Sequence, residues 1–158
     1  MPEVILTPLT ETIARLILSG ERGIDWSVGY PTAGDLEVAE RILSGQMHVA
    51  SEDLPWGPWV VREASVAVGG AGFHGAPDEA GDVEIGYGIA VEARGRGIAT
   101  TAVQLLLTWA RENGASRVVA CTDPDNLPSQ RVLEKCGLRS VGVDGGELRW
   151  AIDLNRGL

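Results

Sequence analysis

The chain has 158 residues, 44% of them hydrophobic and 22% charged, which suits a single globular domain with room for a core. Its formal net charge of −9 lacks the basic footprint of unspecific nucleic-acid binding; it would favour a cationic substrate, though solubility alone also accounts for it. No apolar run reaches the length of a membrane span, and Met1-Pro2-Glu3-Val4 lacks a basic leader, so no membrane association and a cytoplasmic setting are expected.

In chain order, residues 4–6 read as a short strand. Thr10 is placed to cap a helix at 11–19 that Gly20 ends. Residues 23–31 form a loop holding Trp26 and Tyr30. A second helix is predicted at about 35–44, with Leu36, Ala39, Ile42 and Leu43 inward and Gly45 after it. Residues 52–58 are irregular. From Trp59 the pattern turns to strands: 59–62 and 65–73 make a hairpin about Glu63-Ala64, 74–81 is a surface loop, and 82–91 is a third strand. A helix follows to Asn113, with Ile98, Ala102, Leu105, Leu106 and Trp109 on one face and Gly114 closing it. A strand at 117–122, a turn-rich stretch, a short helix at about 128–135 and a hairpin of 138–143 with 147–154 complete the pattern. The last four residues read as frayed. The order β-α-α-β-β-β-α-β-α-β-β predicts a mixed α/β sheet, with a parallel neighbour for the strand at 82–91.

The strand at 82–91 and the long helix are joined by Arg94-Gly95-Arg96-Gly97-Ile98-Ala99-Thr100. Unpaired amides at a helix start, behind glycines that let a ligand approach the backbone, make an anion site suited to a diphosphate. A P-loop is excluded, because no Gly-Lys-Ser/Thr follows, and the dinucleotide fingerprint fails at Thr100. Arg94-x-x-Gly97-x-Ala99 resembles the acetyl-CoA motif of the GNAT superfamily of N-acetyltransferases, Gln/Arg-x-x-Gly-x-Gly/Ala. A second stretch, Asn126 to Leu138 with Ser129, Val132-Leu133, Lys135 and Gly137, is similar to another signature of that family. With Glu84-Ile85-Gly86-Tyr87, it most resembles the branch that acetylates ribosomal-protein N-termini, the RimJ/RimL-like ribosomal-protein-alanine acetyltransferases, and their relatives.

That resemblance implies one domain at 1–158, with an acceptor-side half at 1–57 and a cofactor-binding sheet and helices at 58–154. It implies acetyl-CoA as donor, and a pantetheine arm lying between splayed strands at 82–91 and 117–122. The arm would meet backbone at Ile89, Ala90 and Val91, and the diphosphate would sit on Gly95, Arg96, Gly97, Ile98, Ala99 and Thr100, with Arg94 beside it. Asn126 would bond the pantetheine amide, unless it is only a turn asparagine. The acceptor would be a small amine or a protein N-terminus, attacked directly in a ternary complex. A longer acyl donor such as succinyl-CoA, or a CoA-binding sensor without catalysis, are the rival readings. A homodimer through an edge strand or a helix is a family-level expectation.

Glu84 is the candidate base. It alternates with Gly86, Gly88 and Ala90 on a small-residue strand face, and burial would raise its pKa; an exposed or salt-bridged glutamate is the competing reading. Many relatives carry a tyrosine where this chain has Leu133, so the usual phenol is missing. Ser129, one helical turn earlier, is the candidate thiolate partner; helix capping explains a serine there as well. Trp26, Tyr30, Trp56 and Trp59 are candidate acceptor-site aromatics, with core packing as the alternative. His48 and His74 stand singly, no metal-ligand spacing occurs, and Cys121 and Cys136 read as reduced thiols.

Overall fold

Polar caps fix the helix starts, and the computed structural model, which describes residues 3–23 and 25–155, follows them. β1 (Val4–Pro8) leads to α1 (Glu11–Ser19), where the Thr10 side chain accepts from the Ile13 N–H at 3.2 Å and Gly20 closes the far end in the left-handed conformation. α2 (Ala33–Leu43) begins two residues earlier than expected, because Thr32 and Asp35 form a reciprocal capping box. Its inward residues are Asp35, Ala39 and Ile42, whereas Leu36 and Leu43 are 40% and 39% exposed. The buried stripe of this helix thus includes an acid.

β2 (Pro58–Glu63) and β3 (Val66–Phe73) form the expected hairpin, with its turn at Ala64-Ser65, both at positive φ. β4 (Asp82–Ile89) stops two residues short of expectation, since Val91–Ala93 winds into a single tight turn. α3 (Ile98–Glu112) buries Ile98, Ala102, Val103, Leu106, Leu107 and Ala110; the buried stripe is rotated toward Val103 and Leu107, leaving Leu105 and Trp109 at its border. β5 (Arg117–Thr122), α4 (Leu127–Lys135), β6 (Arg139–Asp144) and β7 (Glu147–Asp153) follow, with Gly145-Gly146 turning the last hairpin. Most of the stretch read as frayed, 156–158, lies outside the described residues.

Among the described residues the strands make one mixed sheet of seven in the order β1-β2-β3-β4-β5-β7-β6, with β4 and β5 parallel and the other pairs antiparallel. The larger core packs α3 and α4 side chains, Leu106 and Leu133 among them, against Phe73, Ile85, Ile89 and Val118. A smaller core joins α1 and α2 to Val60 and Ala67. The site lies where this frame is interrupted.

Candidate active site

The β4–β5 ladder holds only from Asp82 opposite Arg117 to Glu84 opposite Val119. Beyond that point β4 stays with β3, while β5 stays with β7, so the sheet opens between its two central strands. Antiparallel pairing alternates the direction of backbone groups. His74 N–H donates to Glu84 O and Ala90 N–H to Val68 O, so even-numbered residues of β4 face β3. Tyr87 and Ile89 therefore turn their N–H groups toward the opening. Ile89 O already accepts from Arg94 Nε at 2.9 Å. Ala90 is committed at both ends, since its carbonyl accepts from Ala93 N–H; Val91 is 69% exposed at the mouth.

Next to this mouth α3 begins. Its N-cap is Gly97 at φ +78, without a side-chain cap, and the first helical bond runs from Thr101 N–H to Gly97 O. The amides of Ile98, Ala99 and Thr100 precede that bond. Gly95 and Gly97 are both left-handed, and a Cβ on either would meet open space, so the backbone is bare toward solvent. This cradle of amides, at the positive end of a helix and with no acid in its first turn, suits a diphosphate. The arginines act differently from expectation: Arg94 braces β4 through Ile89, and Arg96 pairs with Glu63 at 3.0 Å.

Across the opening, α4 is capped by Asn126, whose Oδ1 accepts from Ser129 N–H at 3.2 Å. The Ser129 hydroxyl is thereby left for another partner, and it lies 2.6 Å from Tyr87 OH, which also donates to Ser129 O at 3.1 Å. Sequence reasoning missed Tyr87. It sits on the apolar face of β4, and a phenol there needs a polar partner for its tip. Burial holds the Tyr87 phenol above its ordinary value, so it stays protonated through neutral pH. Leu133, in contrast, is fully buried core.

On the opposite face of β3 and β4, four glycines pair across the strands, Gly70 with Gly88 and Gly72 with Gly86. Their missing side chains leave the floor of a cavity of about 570 Å³, walled by α2 residues including Thr32, Asp35 and Glu37, with Tyr87 and His74 also in its lining. Glu84 stands on this face, its side chain 37% exposed rather than buried, with His74 Nδ1 3.5 Å from its Oε2. His74 is thus partnered after all; its Nε2 lies 2.8 Å from where a Gly86 side chain would begin, so the ring roofs the floor beside Glu84. The two residues are directly opposite in the strand register, which spacing along the chain did not reveal. Of the four aromatics, Trp59 reaches the cavity wall, but its ring packs on Trp109. Tyr30 is fully buried against Trp26, and Trp56 packs on Phe73.

Asp35 is 5% exposed, and burial raises its carboxyl above the ordinary value despite two bonds from Thr32. A carboxyl raised on folding keeps its proton when the unfolded chain has lost it, so stability falls as pH rises through that interval and stays lower above it. Asp35→Asn is therefore expected to raise the melting temperature at neutral pH and to leave it unchanged well below the carboxyl range, read by scanning calorimetry at both. Among the described residues no helix is long and apolar enough to cross a membrane, and no group of His, Cys, Asp or Glu could hold a metal ion.

The chain matches the family described as the Acetyltransferase (GNAT) domain over residues 3–139. It is 42% identical to the uncharacterized N-acetyltransferase YjdG of Bacillus subtilis over 83 residues, 50% of this chain and 49% of that one, so that match spans about half of each. It is 25% identical to the uncharacterized N-acetyltransferase YnaD of the same organism, over 83% of each chain. Among solved structures, Mycobacterium smegmatis RimJ in complex with CoA-disulfide superposes with a TM-score of 0.66 at 22% identity, covering 95% of this chain and 81% of that one.

Proposed function

Because this chain belongs to the GNAT family of acetyltransferases, we propose that it moves an acetyl group from acetyl-CoA to a primary amine by direct attack in a ternary complex. The observation that carries this reading is the bare glycine turn of α3 lying beside the opened edge of β4. Acetyl-CoA supplies an activated acetyl group as its thioester. RimJ was solved with a CoA species, which supports the same ligand class here.

The amides at 95–100 hold the diphosphate, and the opening receives the pantetheine arm. The N–H groups of Tyr87 and Ile89 face the opening, and that of Tyr87, the nearer to Glu84, polarises the thioester carbonyl. The acceptor enters over the glycine floor. Glu84 takes the ammonium proton, directly or through water, because only a neutral amine has the lone pair for attack. As the C–N bond forms the C–S bond breaks; the departing thiolate takes a proton from Ser129, which Tyr87 OH replenishes through the 2.6 Å bond, and the new amide nitrogen releases its second proton to solvent, from which the Tyr87 phenol is restored. In this scheme a phenol reaches α4 from β4, in place of the one that Leu133 cannot supply. Within a single domain, residues 1–57 supply the α2 wall of the acceptor side, and 58–154 supply its glycine floor, Glu84 and the donor side.

Thiol release from acetyl-CoA across a panel of primary amines tests the reading; release from succinyl-CoA alone, or CoA binding without release, refutes it. Within it, Tyr87→Phe and Ser129→Ala are each expected to lower kcat without weakening CoA, by less than the roughly hundredfold of an indispensable proton donor, because solvent can also protonate a thiolate. The double variant should be no slower than the worse single one, since both act through one hydrogen bond. Steady-state kinetics with calorimetry checks this.

A further inference from the structure

The capping box of α2 uses only one oxygen of Asp35. Oδ2 accepts from Thr32 N–H at 2.8 Å and from Thr32 Oγ1 at 2.9 Å. Oδ1 has no hydrogen-bond partner among the described residues, and it stands over Gly70, in the space a side chain there would fill. A carboxylate 95% buried, with one oxygen open to a cavity it lines, lacks a cation. Among the described residues none is provided: Arg41 at the rim pairs with Glu37 at 3.2 Å, and Arg94 is tied to Ile89 O.

The position of Asp35 identifies the missing group. It sits at the Gly70–Gly88 step of the floor, whereas Glu84 sits opposite His74, four residues further along β4. At the rise of an extended strand that separation is roughly 13 Å. One nitrogen cannot serve both carboxylates. The amine that reacts gives its proton to Glu84, so the nitrogen at Asp35 is a second one that stays charged. Between them neither Gly86 nor Gly88 carries a side chain, and the His74 ring stands over Gly86, so the chain that joins the two nitrogens passes beside that ring.

Resting on the acetyl transfer proposed above, we propose that Asp35 anchors the distal ammonium of the acceptor, and that the acceptor is an aliphatic diamine or polyamine. The probes are diaminoheptane and heptylamine, assayed by thiol release from acetyl-CoA. The wild type is expected to show a KM for the diamine at least roughly tenfold below that for the monoamine, as a desolvated charge pair requires. Asp35→Asn, which can still accept from Thr32, should abolish that preference while leaving the heptylamine KM and the CoA affinity unchanged. Gly88→Ala adds a methyl at ordinary contact distance, 3.9 Å from Thr32 Oγ1, and should raise the diamine KM in a protein that melts normally; it decides the matter if Asp35→Asn fails to fold. Equal KM values for the two amines in the wild type, or a diamine KM untouched by either substitution, overturns the inference. So does absence of turnover with both amines: if CoA still binds by calorimetry the donor-side reading survives, and if calorimetry is flat both fall together.

Discussion

Glu84→Gln is expected to lower kcat by about a hundredfold or more, the range for loss of a general base, with CoA affinity kept within about twofold. Glutamine keeps the shape of the side chain and a carbonyl oxygen for the His74 Nδ1, now 3.5 Å from Oε2. It cannot take a proton. Glu84 lies on the glycine-floored face, away from the amide cradle, so donor binding is untouched. The pH profile separates this role from a structural one. Raising the pH supplies neutral amine from solution, so the gap between variant and wild type should narrow on the alkaline side. A gap constant at every pH would mean that Glu84 only holds His74 or the strand end in place.

Thr100→Glu is expected to weaken CoA binding by about a hundredfold while leaving the protein as stable as before, or more so. Thr100 is the third residue of α3, where an acid improves a helix start by completing the electrostatics of the first turn. The same acid would stand beside a bound diphosphate. Two unit charges about 6 Å apart at an effective dielectric of about 20 repel by roughly 3 kcal/mol, or about a hundredfold in affinity. Opposite signs for stability and affinity are the signature of an anion site built from backbone. Calorimetric titration with CoA and a thermal melt measure both; an affinity change that merely follows lost stability would refute the cradle.

Local signals made the element order readable. Thr10 and Gly20 bracket α1, Gly114 follows α3, and Gly145-Gly146 turns the last hairpin, each a backbone demand met by a particular residue. The cradle was readable for the same reason, because its glycines and its helix start are contiguous in the chain. The contacts across the opening and over the glycine floor were not. Tyr87 and Ser129 are 42 residues apart, and they meet only because the β4–β5 ladder ends where it does. His74 meets Glu84 through strand register. Asp35 read as the edge of a helix, since its cap with Thr32 gives no hint that its second oxygen faces a floor of glycines. The tryptophans drew attention by chemistry, yet Trp59 and Trp56 serve packing.

A crystal structure of the CoA complex tests most directly whether donor binding is a property of main chain at the α3 mouth. The account predicts diphosphate oxygens within hydrogen-bonding distance of amides at 95–100, with the pantetheine lying along Tyr87 and Ile89 in the gap left by β5. A CoA molecule held elsewhere by side chains, with that gap closed, would contradict it.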